Sequence, residues 1–242
     1  NEIPETGNRF DAAWGKKLAD KIRSLDDTRY VTNSVNMMLS IMDQIGEMMA
    51  GQTMEINSAM SSMGEMMNRL VASEIAGKAT EASFAQVDIA GYNYAACRYE
   101  QDGKEYPNRI IVGSETYPQD LDVNWELVEK NPYVIGDFTW TAYDYIGEAG
   151  IGKSVFLEPD DPLFKIGSFA LMSYSSQFPW RFANDADVDI NGCLLPQGAY
   201  RSIVWGNNKT YLYSYDPDVF GKKELIGNWG FTNVTKNWNW KD

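Results

Sequence analysis

The 242-residue chain contains no histidine, which removes Ser-His-Asp triads, Cys-His pairs and histidine-ligated zinc from the chemistry open to it. Acid-base work must therefore fall to carboxylates, tyrosine or lysine. Glu115 follows the apolar run Arg109 to Ser114 (RIIVGS) and precedes Thr116-Tyr117-Pro118, which stops a strand and turns the chain. Glu2, beside Asn1, stands just before a predicted helix, where a preceding strand would end. Spacing alone leaves Glu2 as a solvated terminal acid or a helix-start residue favoured by the dipole. Cys97 and Cys193 form no CxxC pattern and read as buried thiols rather than redox or metal ligands. No metal site and no cofactor is expected.

Charge and hydropathy narrow the partners. With 34 Asp and Glu against 21 Lys and Arg, the formal charge is −13, which argues against nucleic acid, because phosphate contacts need a basic face. No stretch approaches the roughly 18 apolar residues of a membrane span, so no membrane partner is expected. The first residue is Asn, and no basic segment followed by an apolar run opens the chain, so the start reads as a processed or truncated end.

These residues must be positioned by elements visible as periodicity. Phe10, Trp14, Leu18, Ile22 and Leu25 recur at helical spacing and predict an amphipathic helix over residues 9 to 28. Tyr30-Val31-Thr32, Phe84 to Tyr94 (FAQVDIAGYNY), Arg109 to Ser114 and Val134 to Tyr145 (VIGDFTWTAYDY) read as strands, with helical or mixed segments at 95 to 108 and 121 to 130. Buried strands alternating with helices imply a parallel sheet. Starts near 84, 109 and 134 give a 25-residue repeat, compatible with a (β/α)8 barrel. The expected fold is α/β, the C-terminal half of such a TIM barrel with about four βα units. In a barrel, chemistry sits at the C-terminal ends of the strands, where Glu115 falls.

Residues 37 to 76 hold most of the 11 methionines. Met38, Met42, Ile45 and Met49, then Ile56, Met60, Met63, Met67 and Leu70 after Gly51, predict two helices in a hairpin inserted into the barrel. Methionine suits such packing because it adapts to irregular gaps; a greasy lid or oligomer surface is the alternative. Beyond residue 150 the texture is loop-like, Pro196 to Trp205 reads as a short helix with Pro at its start, and Tyr211 to Tyr215 and Trp238 to Trp240 alternate as strands do. The expected domains are 1 to 206, the barrel portion, and 207 to 242, the opening strands of an incomplete β-sandwich.

The wording of the motifs adds a resemblance. Asn1-Glu2-Ile3-Pro4-Glu5 resembles the Asn-Glu motif ending barrel strand four in family-two glycoside hydrolases, the β-galactosidase and β-glucuronidase group. Asp88 to Tyr94 (DIAGYNY) is similar to their strand six, Gly113-Ser114-Glu115-Thr116 to strand seven, and Gly136-Asp137-Phe138-Thr139-Trp140 with Asp144 to Glu148 (DYIGE) to strand eight. Asp187 to Gly192 and the Pro196 to Trp205 helix resemble the closing segment of bacterial β-galactosidase-like members.

The resemblance implies a retaining exo-β-glycosidase, β-galactosidase-like, acting on an oligosaccharide or glycoside through two glutamates. Glu115 matches the nucleophile and Glu2 the general acid/base; one carboxyl must stay ionised while the other is held protonated. Asn1 matches the asparagine on the sugar 2-hydroxyl, Tyr94 the tyrosine that orients the nucleophile, with Asn93 beside it, and Trp140 an aromatic wall at the sugar or a barrel-core tryptophan. Glu148 and Asp144 could reach sugar hydroxyls or cap a strand end.

The chain departs from the family in lacking counterparts of strands one to four, and Pro118 stands where one branch has the His of Glu-x-x-His. Sugar specificity stays open between β-galactosidase, β-glucuronidase and other family-two activities, with a non-catalytic carbohydrate-binding or assembly fragment as the rival class. A half-barrel has two open sheet edges, so a homodimer or association with the missing barrel half is expected, and the fragment alone is expected to be inactive. The expected location is the bacterial periplasm or outside the cell.

Overall fold

The computed structural model describes residues 9–42, 63–167, 171 and 181–236. Asn1, Glu2, the middle of the methionine-rich segment and Trp238 to Trp240 lie outside the described residues. By compactness the described chain forms two units, one from 9–42, 63–116 and 123–138, the other from 117–122 and the described part of 139–236.

The first unit opens with helix α1 (Arg9–Leu25). Its small Ala19 is buried, whereas Trp14, Leu18, Ile22 and Leu25, the stripe that the periodicity predicts as a core face, are exposed. The first strand is shorter and later than Tyr30 to Thr32 suggests. Thr32 makes only an isolated parallel bridge to Ile89, and β1 is Val35–Asn36. Helices α2 (Met63–Val71) and α3 (Glu74–Phe84) follow. Ser73 caps α3 by accepting from the Ala76 amide at 3.3 Å, so Phe84 ends a helix instead of starting a strand.

The remaining strands are β2 (Ile89–Asn93), β3 (Ile110–Thr116) and β4 (Val134–Thr139), connected through α4 (Tyr99–Glu105) and α5 (Leu121–Lys130). They form a four-stranded sheet in the order β1-β2-β3-β4, with parallel pairing of β1 to β2 and of β2 to β3. This is a mixed α/β architecture consistent with part of a barrel. Val35, Met37, Phe84, Tyr92, Ile111 and Val134 meet in the core, and Phe84 stacks on Tyr92 with ring centroids 4.7 Å apart. Met37 is fully buried while Met42 is exposed, so the described methionines divide between core and surface. Gly91 is required by close approach: a Cβ there would lie 1.7 Å from the Asn33 carbonyl oxygen.

In the second unit, β5 (Ser154–Leu157) pairs antiparallel with β6 (Lys223–Ile226). Strand pairing thus crosses the boundary expected at 206/207, and the alternating Tyr211 to Tyr215 run contributes one isolated bridge, Ser214 to Thr235. Between β5 and β6 lie α6 (Leu163–Ile166) and α7 (Pro196–Val204), the latter with Pro at its start as the sequence predicts. Arg201 on α7 donates through Nε to Asp187 Oδ2 at 2.5 Å. Asp189 Oδ1 accepts the Asn191 and Cys193 amides, both at 2.8 Å, and so closes a turn.

The cysteines correct an expectation. Cys97 and Cys193 are free and exposed rather than buried. Each sits in a turn, Cys97 in Ala96–Arg98 and Cys193 in the loop that Asp189 closes, so local backbone geometry outweighs the apolar character of the thiol.

Candidate active site

Parallel strands deliver their C-terminal residues to one edge of the sheet, and that edge carries Asn36 from β1, Asn93 from β2 and Glu115 from β3. Glu115 is 7% exposed and Asn93 only 1%. The Asn93 amide donates through Nδ2 to Glu115 Oε2 at 2.9 Å, and the Ser114 hydroxyl donates to Asn93 Oδ1 at 2.6 Å. A register shift makes this possible. Tyr92 pairs with Gly113 but Asn93 pairs with Glu115, so Ser114 is the extra residue of a bulge in β3.

Tyr94 follows directly, in the left-handed region at φ 53, and its amide donates to the Glu115 carbonyl at 2.8 Å. For a bulky residue that backbone conformation is rare and is found disproportionately at functional sites. The structure therefore brings Glu115, Asn93 and Tyr94 together. The side-chain amide on the carboxylate comes from Asn93, whereas the motif points first to Tyr94.

A buried polar network supports β2 from behind. Tyr92 donates its hydroxyl to Asp102 Oδ2 at 2.5 Å, and Arg98 holds the same carboxylate through Nη2 to Oδ1 at 2.6 Å and Nε to Oδ2 at 3.1 Å. Arg98 Nη1 also donates to the carbonyls of Val71 and Ser73 at 3.0 and 2.9 Å, tying the α2–α3 connection to this strand. Burial, and then the Asp102 charge, hold the Tyr92 phenol well above its ordinary range, so it stays a neutral donor. Gly113 leaves room for the buried Tyr99 hydroxyl, 2.5 Å from where a Cβ would sit. The Thr116 hydroxyl donates to the Phe138 carbonyl at 3.2 Å.

Trp140 belongs to the second unit. Its indole is half-buried, packs edge-on against Tyr145 at 5.9 Å and donates through Nε1 to the Tyr145 hydroxyl at 3.2 Å. That hydroxyl donates to the exposed Glu148 carboxylate. Burial, then the Glu148 hydrogen bond, push the Tyr145 phenol upward.

Asp144 is pinned differently, its Oδ1 accepting the Tyr145 and Asn184 amides at 3.0 and 2.9 Å. Asp185 is fully buried, and neither carboxylate oxygen has a hydrogen-bond partner among the described residues. Burial first, then the Asp144 charge, raise it to about 7. Asn1 and Glu2 lie outside the described residues. Among the described residues no cluster of three or more Cys, Asp and Glu is placed to hold a metal ion, and no helix is long and apolar enough to cross a membrane.

No family model and no curated protein matches the sequence. Solved structures do. A glycosyl hydrolase family 2 member from Bacteroides cellulosilyticus matches with TM-score 0.61 and 29% identity over 99% of this chain and 25% of its own. A second family 2 member from the same organism matches with TM-score 0.52 and 26% identity over 86% of this chain and 19% of its own. The chain thus spans about a quarter or less of those structures. The likeness supports a distant relationship to glycosyl hydrolase family 2, carried by structure and confined to a fragment.

Proposed function

We propose that this chain carries the nucleophile of a retaining exo-β-glycosidase, β-galactosidase-like, acting on terminal β-linked sugars. The observation that supports the reading most strongly is a nearly buried glutamate at the C-terminal edge of a parallel sheet with a side-chain amide directed at its carboxylate. Such a carboxylate has one task a solvated surface acid lacks. It can be presented, oriented and water-poor, to an electrophilic carbon.

In the proposed reaction a Glu115 carboxylate oxygen attacks the anomeric carbon, and the bond to the leaving oxygen breaks as Glu2 protonates that oxygen. The glycosyl ester on Glu115 is then hydrolysed: Glu2 takes a proton from water, the water oxygen bonds to the anomeric carbon, and Glu115 leaves as a carboxylate. Retaining chemistry wants the two carboxyls about 5 to 5.5 Å apart. The Asn93 amide favours the ionised form that must attack. Glu2, Asn1 and Trp140 take their assignments, acid/base, 2-hydroxyl contact and aromatic sugar surface, from the motifs they belong to. Another segment or a second copy closes the edges of the four-stranded sheet, and the protein works in the periplasm or outside the cell.

Hydrolysis of a nitrophenyl β-galactoside by the full-length protein tests the reading. Glu115→Gln should abolish turnover, by about 10⁴-fold or more, as expected for a covalent nucleophile. Undiminished turnover in that variant would contradict it.

A further inference from the structure

Consecutive residues of a regular strand point to opposite faces, so Ser114 and Glu115 should not share a partner. They do. Ser114 Oγ lies 2.6 Å from Asn93 Oδ1, and Glu115 Oε2 lies 2.9 Å from Asn93 Nδ2. The bulge in β3 sets two of its residues against one residue of β2 and swings both side chains toward the same amide.

We infer that Ser114 is a positioning residue for the reaction at Glu115, acting through Asn93 as a one-way relay of hydrogen bonds that fixes the amide with its N–H groups toward the carboxylate. The inference rests on the reading of Glu115 as the nucleophile.

Direction is set by chemistry. An ionised carboxylate only accepts, so the face of Asn93 toward Glu115 must be its NH2, and the opposite face, toward Ser114, must be its carbonyl. A carbonyl needs a donor, and the serine hydroxyl is one. Donation to the amide oxygen polarises the amide and strengthens the N–H aimed at Glu115, because hydrogen bonds in series reinforce one another in a low-dielectric site. The relay also serves the second half of the reaction, where the departing carboxylate recovers its charge beside the same N–H. Removing the hydroxyl leaves the amide less well oriented and less polarised, and the carboxylate less favoured as the ion.

The test compares Ser114→Ala and Ser114→Thr with the parent in the full-length protein, over the pH range of nitrophenyl galactoside hydrolysis. Losing one charge-directed hydrogen bond relay should lower kcat about tenfold with KM within about twofold, and move the acidic limb of the profile upward by roughly half a pH unit. Ser114→Thr, which keeps the hydroxyl, should return both toward the parent.

An unchanged acidic limb in Ser114→Ala, while Glu115→Gln is inactive, would overturn the relay and leave the nucleophile standing. Turnover that survives Glu115→Gln would overturn both. If Ser114→Ala fails to fold, Ser114→Thr and Ser114→Cys decide by the same limb: the relay requires the weak thiol donor to shift it and the threonine to keep it, and equal profiles contradict it.

Discussion

Asn93 Nδ2 donates to Glu115 Oε2 at 2.9 Å, between neighbouring parallel strands whose pairing slips by one residue at that point. The slip converts what would be a sheet-edge carboxylate into one with a fixed donor. Asn93→Ala should therefore lower kcat by about 10- to 100-fold, the range for a hydrogen bond to a charged group, with a smaller effect on KM. Steady-state kinetics checks this, and Asn93→Asp should move the acidic limb upward because a second carboxylate then faces Glu115.

The Arg98–Asp102 pair is almost wholly buried, at 1% exposure for each side chain. Replacing only one partner leaves an uncompensated buried charge. Asp102→Ala should destabilise the protein by about 3 to 5 kcal/mol, read as a lower midpoint in urea. The double variant Arg98→Met with Asp102→Leu should recover only part of that loss: no charge stays buried alone, but the Tyr92 hydroxyl and the Val71 and Ser73 carbonyls lose these partners.

Asp185 gives stability a pH dependence of defined sign. Its native value of about 7 lies above the ordinary 3.8, so the unfolded chain releases this proton first as pH rises. Stability is full below about pH 4, falls as pH climbs toward 7 and levels off above it. Asp185→Asn removes the ionisation. The stability difference between Asp185→Asn and the parent should grow in favour of the variant from pH 4 to pH 8 in urea titrations, and a constant difference would contradict this account of Asp185.

Several elements were legible because their residues carry local physical signals. Ile111 and Val112, with Pro118 just beyond the strand, mark β3, Leu121 and Val128 mark α5, and Pro196 marks the start of α7. Phe84-Ala-Gln-Val-Asp-Ile-Ala alternates like a strand, while the helix that Phe84 ends buries mainly small residues, Ala76, Gly77, Thr80 and Ser83, and so shows no apolar stripe; the Ser73 cap is the available signal.

At the site, Glu115, Asn93 and Ser114 all fall in the quoted motifs, but the contact of the Ser114 side chain with Asn93 was not legible. Period-two reasoning sends Ser114 to the opposite face, and a bulge leaves no mark in a single sequence. Asp185 was hidden for a different reason. In Asn184-Asp185-Ala186-Asp187 no local signal marks a carboxylate for burial; the packing of the second unit takes both out of water, Asp187 against Arg201 and Asp185 with no hydrogen-bond partner among the described residues.

If Glu115 is the nucleophile, it becomes covalently glycosylated during turnover. Incubating the full-length protein with an activated 2-deoxy-2-fluoro-β-galactoside, which slows hydrolysis of the intermediate, and mapping the adduct by peptide mass spectrometry tests it directly. One sugar per chain is expected, on the peptide holding Gly113-Ser114-Glu115-Thr116. A label on any other residue would contradict it.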